Sequence, residues 1–340
     1  MRSVSWTRAA LLTLLASTLA LAGIDVTFAA LTSRAESAGS IVTAAKDFRP
    51  PAVTVVVTGK AIGGATGFVK QGGAYHVYAN VNADTGKPAS GIATVTANVA
   101  NLTAGSTAVT LAAGSYVAPG GPFGYRSASL TADPVLAEGS REVTVTATDN
   151  ALNAAALAGS ANVDNTAPAA ADVQTTNTGA SGLIEQGDTL TLSFSEPIDP
   201  QSILAGWNGA ATNVVVRVND NGLLGLPLGN DAVQIYNTGN VTLLPLGAVD
   251  LGRGDYVAGA LGGTIRFGAS GTPSTMSLSG NSVTVTLGTY ATPGLFEAFR
   301  TTASATGTMS WAPVATPYDR AGNIAATTAA TESGGADKEF

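Results

Sequence analysis

The sequence predicts an all-β chain: two β-sandwich domains in tandem behind an N-terminal signal peptide. Three observations predict it. Charged residues are only 11% of the chain against 45% apolar ones, and 41 glycines among abundant Ala, Thr, Val and Ser describe short strands joined by turns. Several segments alternate apolar and polar residues with a period of two. A D-x-A-x-N turn occurs at 149–153 and again at 319–323, each time with Thr/Ala-rich sequence around it, as if two units finish with the same hairpin. At 340 residues the chain suits two domains of ~100–200 residues plus a leader.

Composition also limits function. A net charge of −7 with the 16 Lys and Arg scattered argues against nucleic acid and against an anionic membrane surface, both of which need clustered cations. With no cysteine, disulfides, thiolate metal sites and cysteine nucleophiles are excluded. His76 is the single histidine, so multi-histidine metal sites are excluded too.

Arg2 and Arg8 precede the apolar run 9–22 (AALLTLLASTLALA), too short for a membrane span and interrupted beyond by Asp25. It reads as an export signal, cleaved after Ala22 or Ala30, with an uncleaved anchor as the alternative. The segment LALAGIDVTFAALTSRAESAGSIVTAAKDF resembles the leaders of the camelysin and biofilm-fibre family, and that resemblance implies cleavage after Ala30. Residues 1–30 are thus expected as signal peptide and 31–50 as linker. Loss of Arg2, Arg8 and Asp25 leaves a mature charge of about −8. The segments 226–229 and 244–247 (LPLG) lack the Thr-Gly of a wall-sorting signal, so secretion or non-covalent surface association is expected, without stable membrane insertion after cleavage.

The first domain is expected over 51–164. After Arg49-Pro50-Pro51, residues 52–58 (AVTVVVT) are β-branched. In 74–82, Tyr75, Val77, Ala79 and Val81 share one face while His76, Tyr78, Asn80 and Asn82 share the other, which makes His76 a solvated strand residue. Val95, Ala97 and Val99 point inward in 91–99, as do Val143, Val145 and Ala147 in 142–148. Short strands with turns every ~8–12 residues fit an immunoglobulin-like sandwich, although no cysteine pair is present and Trp6, Trp207 and Trp311 lie elsewhere.

Residues 165–187 are expected as a linker with a lead-in strand, 188–333 as the second sandwich and 334–340 as a frayed tail. In 188–196, Leu190, Leu192 and Phe194 alternate with Thr and Ser. Asp199-Pro200 is a cap followed by a first-turn proline, and the short helical turn should deliver Trp207 to the core. The segments 214–218 and 233–236 read as strands around Asn219-Asp220-Asn221-Gly222 and Gly229-Asn230-Asp231, which read as turns rather than calcium loops. Residues 275–278 should pair with 282–287 across Ser279-Gly280-Asn281, with Met309 and Trp311 in a late strand.

VTVTATDNALNAAALAGSANVDNTAP resembles the last two strands and exit of bacterial immunoglobulin-like repeats. DTLTLSFSEPIDPQSI is similar to the opening of a second type found in surface-layer and secreted actinobacterial proteins. The likeness covers most of 51–333. It implies a tandem of immunoglobulin-like sandwiches, in a class that serves adhesion, stalk and enzyme-accessory roles alike. The joint Asp164-Asn165-Thr166-Ala167-Pro168 also resembles the calcium linker of cadherins. Asp149, Asp164, Asn165, Glu196 and Asp199 are the oxygen ligands a Ca²⁺ there would draw on, against an ordinary turn and linker as the plainer reading.

The function expected is a non-catalytic structural or adhesive protein of the cell envelope or extracellular matrix, its partner an extracellular protein or glycan. One alternative is a carbohydrate- or polymer-binding module stacking on Tyr75, Tyr78, Tyr116, Phe123 and Tyr125. Another is a glycosidase with Glu185 and Glu196 as its carboxylate pair. Lys60, Lys70 and Lys87 leave an isopeptide cross-link formally open in the first domain, but no lysine falls between Lys87 and Lys338.

Overall fold

The structure is a computed structural model that describes residues 47–86, 88–221, 229–259, 263–291 and 298–340. The leader and most of the linker behind it lie outside the described residues, as do Lys87 and Gly222. The fold is all-β. The first nine strands are β1 (Ala52–Lys60), β2 (Phe68–Val69), β3 (Ala74–Asn82), β4 (Ile92–Asn98), β5 (Val109–Tyr116), β6 (Phe123–Ser127), β7 (Leu130–Thr131), β8 (Gly139–Asp149) and β9 (Ala154–Val163). They form one sheet in the order β1-β3-β6-β5-β4-β8-β9-β2, with β7 paired to β3 and a parallel β2–β9 contact.

The remaining strands are β10 (Ala170–Thr176), β11 (Thr189–Phe194), β12 (Thr212–Asp220), β13 (Ala232–Tyr236), β14 (Val249–Asp250), β15 (Val257–Ala258), β16 (Gly263–Phe267), β17 (Ser274–Ser279), β18 (Ser282–Thr286), β19 (Phe299–Arg300), β20 (Ser310–Trp311) and β21 (Ala330–Thr331). Ten of them make a second sheet, β10-β11-β18-β17-β12-β13-β14-β20-β21 with β16 on β12, while β15 and β19 pair separately. The sheets are barrel-like in character. By packing, the described chain falls into two compact units. The smaller holds the residues up to Ala52 together with Asn82–Thr94 and Ala147–Ala155, and the larger holds Val53–Val81, Val95–Thr146 and Ala156–Phe340. The joint at 164–168 lies inside the larger one.

Period-two patterning does place the core. Tyr75, Val77, Ala79, Val95, Ala97, Val143, Val145 and Ala147 are all buried. So are Leu190, Leu192 and Phe194, which meet Trp207, Val216, Val218 and Trp311 in one apolar cluster. Trp311 stands edge-on to Phe194, with ring centroids 4.9 Å apart, and its indole N–H donates to the Leu246 carbonyl at 2.6 Å. The β17–β18 hairpin has the expected register, Leu278 opposite Val283 and Ser279 opposite Ser282, with Gly280 at φ 58° supplying the left-handed turn residue. Asp199 caps a 3-10 turn at Pro200–Ser202 by accepting from the Gln201 amide.

Two expectations change. Tyr78, on the face that reads as polar, is buried, because Phe123 packs against it at 5.2 Å. Residues 334–340, expected as a tail, end in the interior: Phe340 is 1% exposed, and its carbonyl accepts from the Gly182 amide at 2.6 Å. An aromatic at the end of a Gly-rich, charged segment gives no periodic signal, so only packing reveals its place.

Candidate functional site

The repeated turn builds a similar cage of hydrogen bonds twice, with the two Asn donors in common and one amide donor shifted from the third motif position to the fourth. In the first copy Asp149 Oδ1 accepts from the amides of Ala151 and Asn153, both at 2.8 Å, and Oδ2 accepts from Asn153 Nδ2 at 2.8 Å. In the second, Asp319 Oδ1 accepts from the Gly322 amide at 2.6 Å and the Asn323 amide at 2.8 Å, and Oδ2 accepts from Asn323 Nδ2 at 2.8 Å. Each Asn then reaches back to a lead-in aspartate. Asn153 Nδ2 donates to the Asp47 carbonyl at 3.0 Å, and Asn323 Nδ2 to the Asp164 carbonyl at 2.9 Å. Both lead-ins read D-x-x-x-P, and in both the aspartate accepts from the amide two residues on, Arg49 or Thr166. The lead-in half of the repeat was therefore legible, as matching spacing in 47–51 and 164–168, but sequence reading matched only the closing turns.

The two copies differ in what surrounds the lead-in carboxylate. Asp47 accepts from the Arg49 amide and from the amide and hydroxyl of Ser90, and these donors, the Arg49 and Ser90 amides foremost, hold its carboxyl down at about 2. Asp164 instead has acidic neighbours: oxygens of Asp164, Glu196 and Asp319 lie within 4.8 Å of one another. Burial, together with Asp319 and Glu138, pushes the Asp164 carboxyl up. Burial and the charges of Asp164, Asp319 and Glu138 push Glu196 up to about 7, and its Oε1 has no hydrogen-bond partner. Asp319 is committed to three N–H donors, which leaves little of its lone-pair capacity for an ion needing ~6–8 oxygens. Burial and three acidic neighbours instead favour the protonated form of Glu196.

Beside these acids lies the joint. Lys60 Nζ, at the end of β1, forms a buried ion pair with Asp199 and donates to the Arg320 carbonyl at 2.8 Å. Asp199 Oδ2 also accepts from the Ala65 amide at 2.8 Å. Lys70 Nζ donates to the Gly322 carbonyl at 2.6 Å, and Asp199 and Ile198 meet Tyr318 and Asp319 by backbone pairing. The loop between β1 and β3 is thereby fastened to the second D-x-A-x-N turn by charge-assisted bonds, the stronger kind when water is excluded.

Of the five oxygen ligands expected for calcium, only Asp164 and Glu196 come together, joined by the unanticipated Asp319. Asp149 closes its own turn, Asp199 pairs with Lys60, and Asn165 accepts from the Gln71 amide through Oδ1 and donates to the Leu136 carbonyl through Nδ2. The expected stacking face is dismantled, since Tyr75, Tyr78 and Phe123 are buried and Arg126 lies over the Tyr116 ring at 4.4 Å. The carboxylate pair is not assembled either. Glu185 accepts from the Ala180 amide beside Arg300, and β11, roughly 20 Å long at ~3.3 Å per residue, runs between it and Glu196, against the ~5–10 Å a glycosidase needs. His76 is half-buried rather than solvated: its Nδ1 lies 3.1 Å from the Ser127 carbonyl, and the ring lines a cleft of about 650 Å³ with Lys60, Tyr78, Val117, Arg126 and Gln201. Among the described residues no helix is long and apolar enough to cross a membrane.

Comparison with protein-family models, with curated proteins and with solved structures finds no match to this chain.

Proposed function

We propose that this chain is an exported, non-catalytic structural or adhesive protein of the cell envelope or extracellular matrix, in which 51–164 and 188–333 act as two immunoglobulin-like sandwiches held stiffly in tandem. The buried Lys60–Asp199 pair beside the joint carries this reading. A joint meant to swivel would lack such ties, whereas here Lys60, Lys70 and Asp199 lock the β1–β3 loop onto the turn at 319–323. Removing one member of a buried ion pair leaves the other charge uncompensated, at about 3–5 kcal/mol.

Limited proteolysis tests the stiffness. The folded chain should resist cleavage around 164–170, and Lys60→Ala should be cut there at least tenfold faster while β17 and β18 keep their amide-exchange protection. Equal cleavage rates would sink the reading. Export is checked separately by sequencing the N-terminus of protein recovered outside the cell, with Leu31 expected first if processing follows Ala30.

The second reading, a polymer-binding module, is favoured by the cleft lined by His76, Tyr78 and Arg126, at which Ile62 and Val117 expose apolar surface. Enrichment of the protein on one polysaccharide, lost in Arg126→Ala, would select it over the purely structural one.

A further inference from the structure

A second group of acids lies away from the joint, in the segment Glu332-Ser333-Gly334-Gly335-Ala336-Asp337-Lys338-Glu339. Carboxylate oxygens of Glu332, Asp337 and Glu339 lie within 4.8 Å of one another. Their backbones are pinned separately. The Glu332 amide donates to the Met309 carbonyl at 3.1 Å, the Asp337 carbonyl accepts from the Gly307 amide at 2.7 Å, and the Glu339 amide donates to the Tyr256 hydroxyl at 2.7 Å. Gly334 and Gly335 make the bend between them, and the two-residue step from Asp337 to Glu339 suits an extended chain that turns both carboxylates to one side.

The independent sign of a ligand is Glu339 itself. It is 1% exposed, its Oε2 accepts from Thr175 Oγ1 at 2.7 Å, and its Oε1 has no hydrogen-bond partner. Glu332 Oε1 is likewise buried and unpartnered. No Lys or Arg among the described residues forms an ion pair with any of the three. Two buried carboxylate oxygens without a donor in one acidic cluster call for a shared proton or a bound cation to balance them.

We propose that Glu332, Asp337 and Glu339 form a binding site for a divalent, calcium-like cation that clasps the end of the β21 segment to the core. A cation about 2.3–2.6 Å from each oxygen allows ligand separations up to roughly 4.6–5.2 Å, and the three oxygens, all within 4.8 Å of one another, fall inside that limit. Three carboxylates supply up to six oxygens of the hard type Ca²⁺ takes, and Asp337, exposed at the mouth, is the route of access. The site is independent of the structural or adhesive role proposed above, and uses none of the joint residues.

Terbium luminescence tests it on the full chain, because Tyr256, bonded to the Glu339 amide, is placed to sensitise an ion held there. Tb³⁺ added to EDTA-stripped protein near neutral pH should give saturable emission that Ca²⁺ displaces. Asp337→Asn, at an exposed position where folding is safe, should weaken Tb³⁺ binding at least tenfold, and Glu332→Gln should repeat the loss. Glu196→Gln, which touches only the joint acids, should leave it unchanged. Absent emission, emission that Ca²⁺ does not displace, full binding in Asp337→Asn or loss in Glu196→Gln would each overturn the proposal. In that case Glu332 and Glu339 share a proton instead.

Discussion

Glu196 shows how one residue can carry opposite costs in two protonation states. Its carboxyl titrates near 7 in the folded chain against an ordinary 4.5, through burial first and then the charges of Asp164, Asp319 and Glu138. The folded state therefore holds a proton that the unfolded chain has released between about pH 4.5 and 7. Stability falls as pH rises through that window and levels off above it. The group stays partly open to solvent, so the effect is about 1–2 kcal/mol rather than the full shift. Glu196→Gln, which keeps the shape and removes the charge, should raise the melting temperature at pH 8, leave it almost unchanged at pH 5, and flatten the slope between. A thermal-shift series in EDTA reads this directly, and an unaltered slope would reject the assignment.

Among elements, the D-x-A-x-N turn is the most informative, because two copies of one motif differ at its fourth position. Leu152 is held at φ 71° and is 82% exposed, whereas Gly322 occupies the same place at φ 97°. A branched side chain in the left-handed region costs ~1–2 kcal/mol, a strain glycine does not feel. Leu152→Asn should therefore stabilise the chain by about 0.5–1 kcal/mol, since Asn tolerates that region and Leu152 buries little. Gly322→Ala should destabilise it by about 1 kcal/mol or more from backbone strain alone, as the nearest atoms to an added Cβ, Lys60 Cδ and Ile62 Cδ1, stand 3.5 and 3.8 Å away. Paired urea melts of the two variants give both signs in one experiment. The turn was legible because its chemistry is local: Asp and Asn side chains bond to their own backbone wherever the turn occurs. Its partner aspartates at 47 and 164 are separated from it by 102 and 155 residues, and no short-range pattern joins them.

For the molecule as a whole, acids shifted in opposite directions frame a stability maximum. Asp47 is held down at about 2 by the Arg49 and Ser90 amides, and Asp255 lies well below the usual range, chiefly through the Arg253 guanidinium. Depressed acids of this kind lose their contribution as pH falls below about 4. Burial pushes Asp231 up to about 7 although the Val257 and Tyr256 amides both donate to it, and it joins Glu196 in weakening the fold as pH rises toward 7. Melting temperature plotted from pH 3 to 9 should peak between roughly 4 and 6, and a maximum above 7 would contradict these assignments.

The sequence by itself determined that the chain is all-β, which strand faces build the core, and where the turns fall. These follow from period-two patterning and from Gly, Asn and Asp chemistry acting over a few residues, as in Tyr75, Val77 and Ala79 or at Ser279-Gly280-Asn281. Tertiary structure alone decided which acids meet. Asp149 and Asp199 are candidate ligands through the resemblance of the joint to a cadherin calcium linker, yet one is consumed by its own turn and the other by Lys60, 139 residues away. Asp319, Glu332 and Glu339 gain their neighbours only when distant segments close on one another. A carboxylate's chemistry is set by the donors and charges within a few ångströms, and in a fold of mostly non-local pairings those neighbours come from elsewhere in the chain.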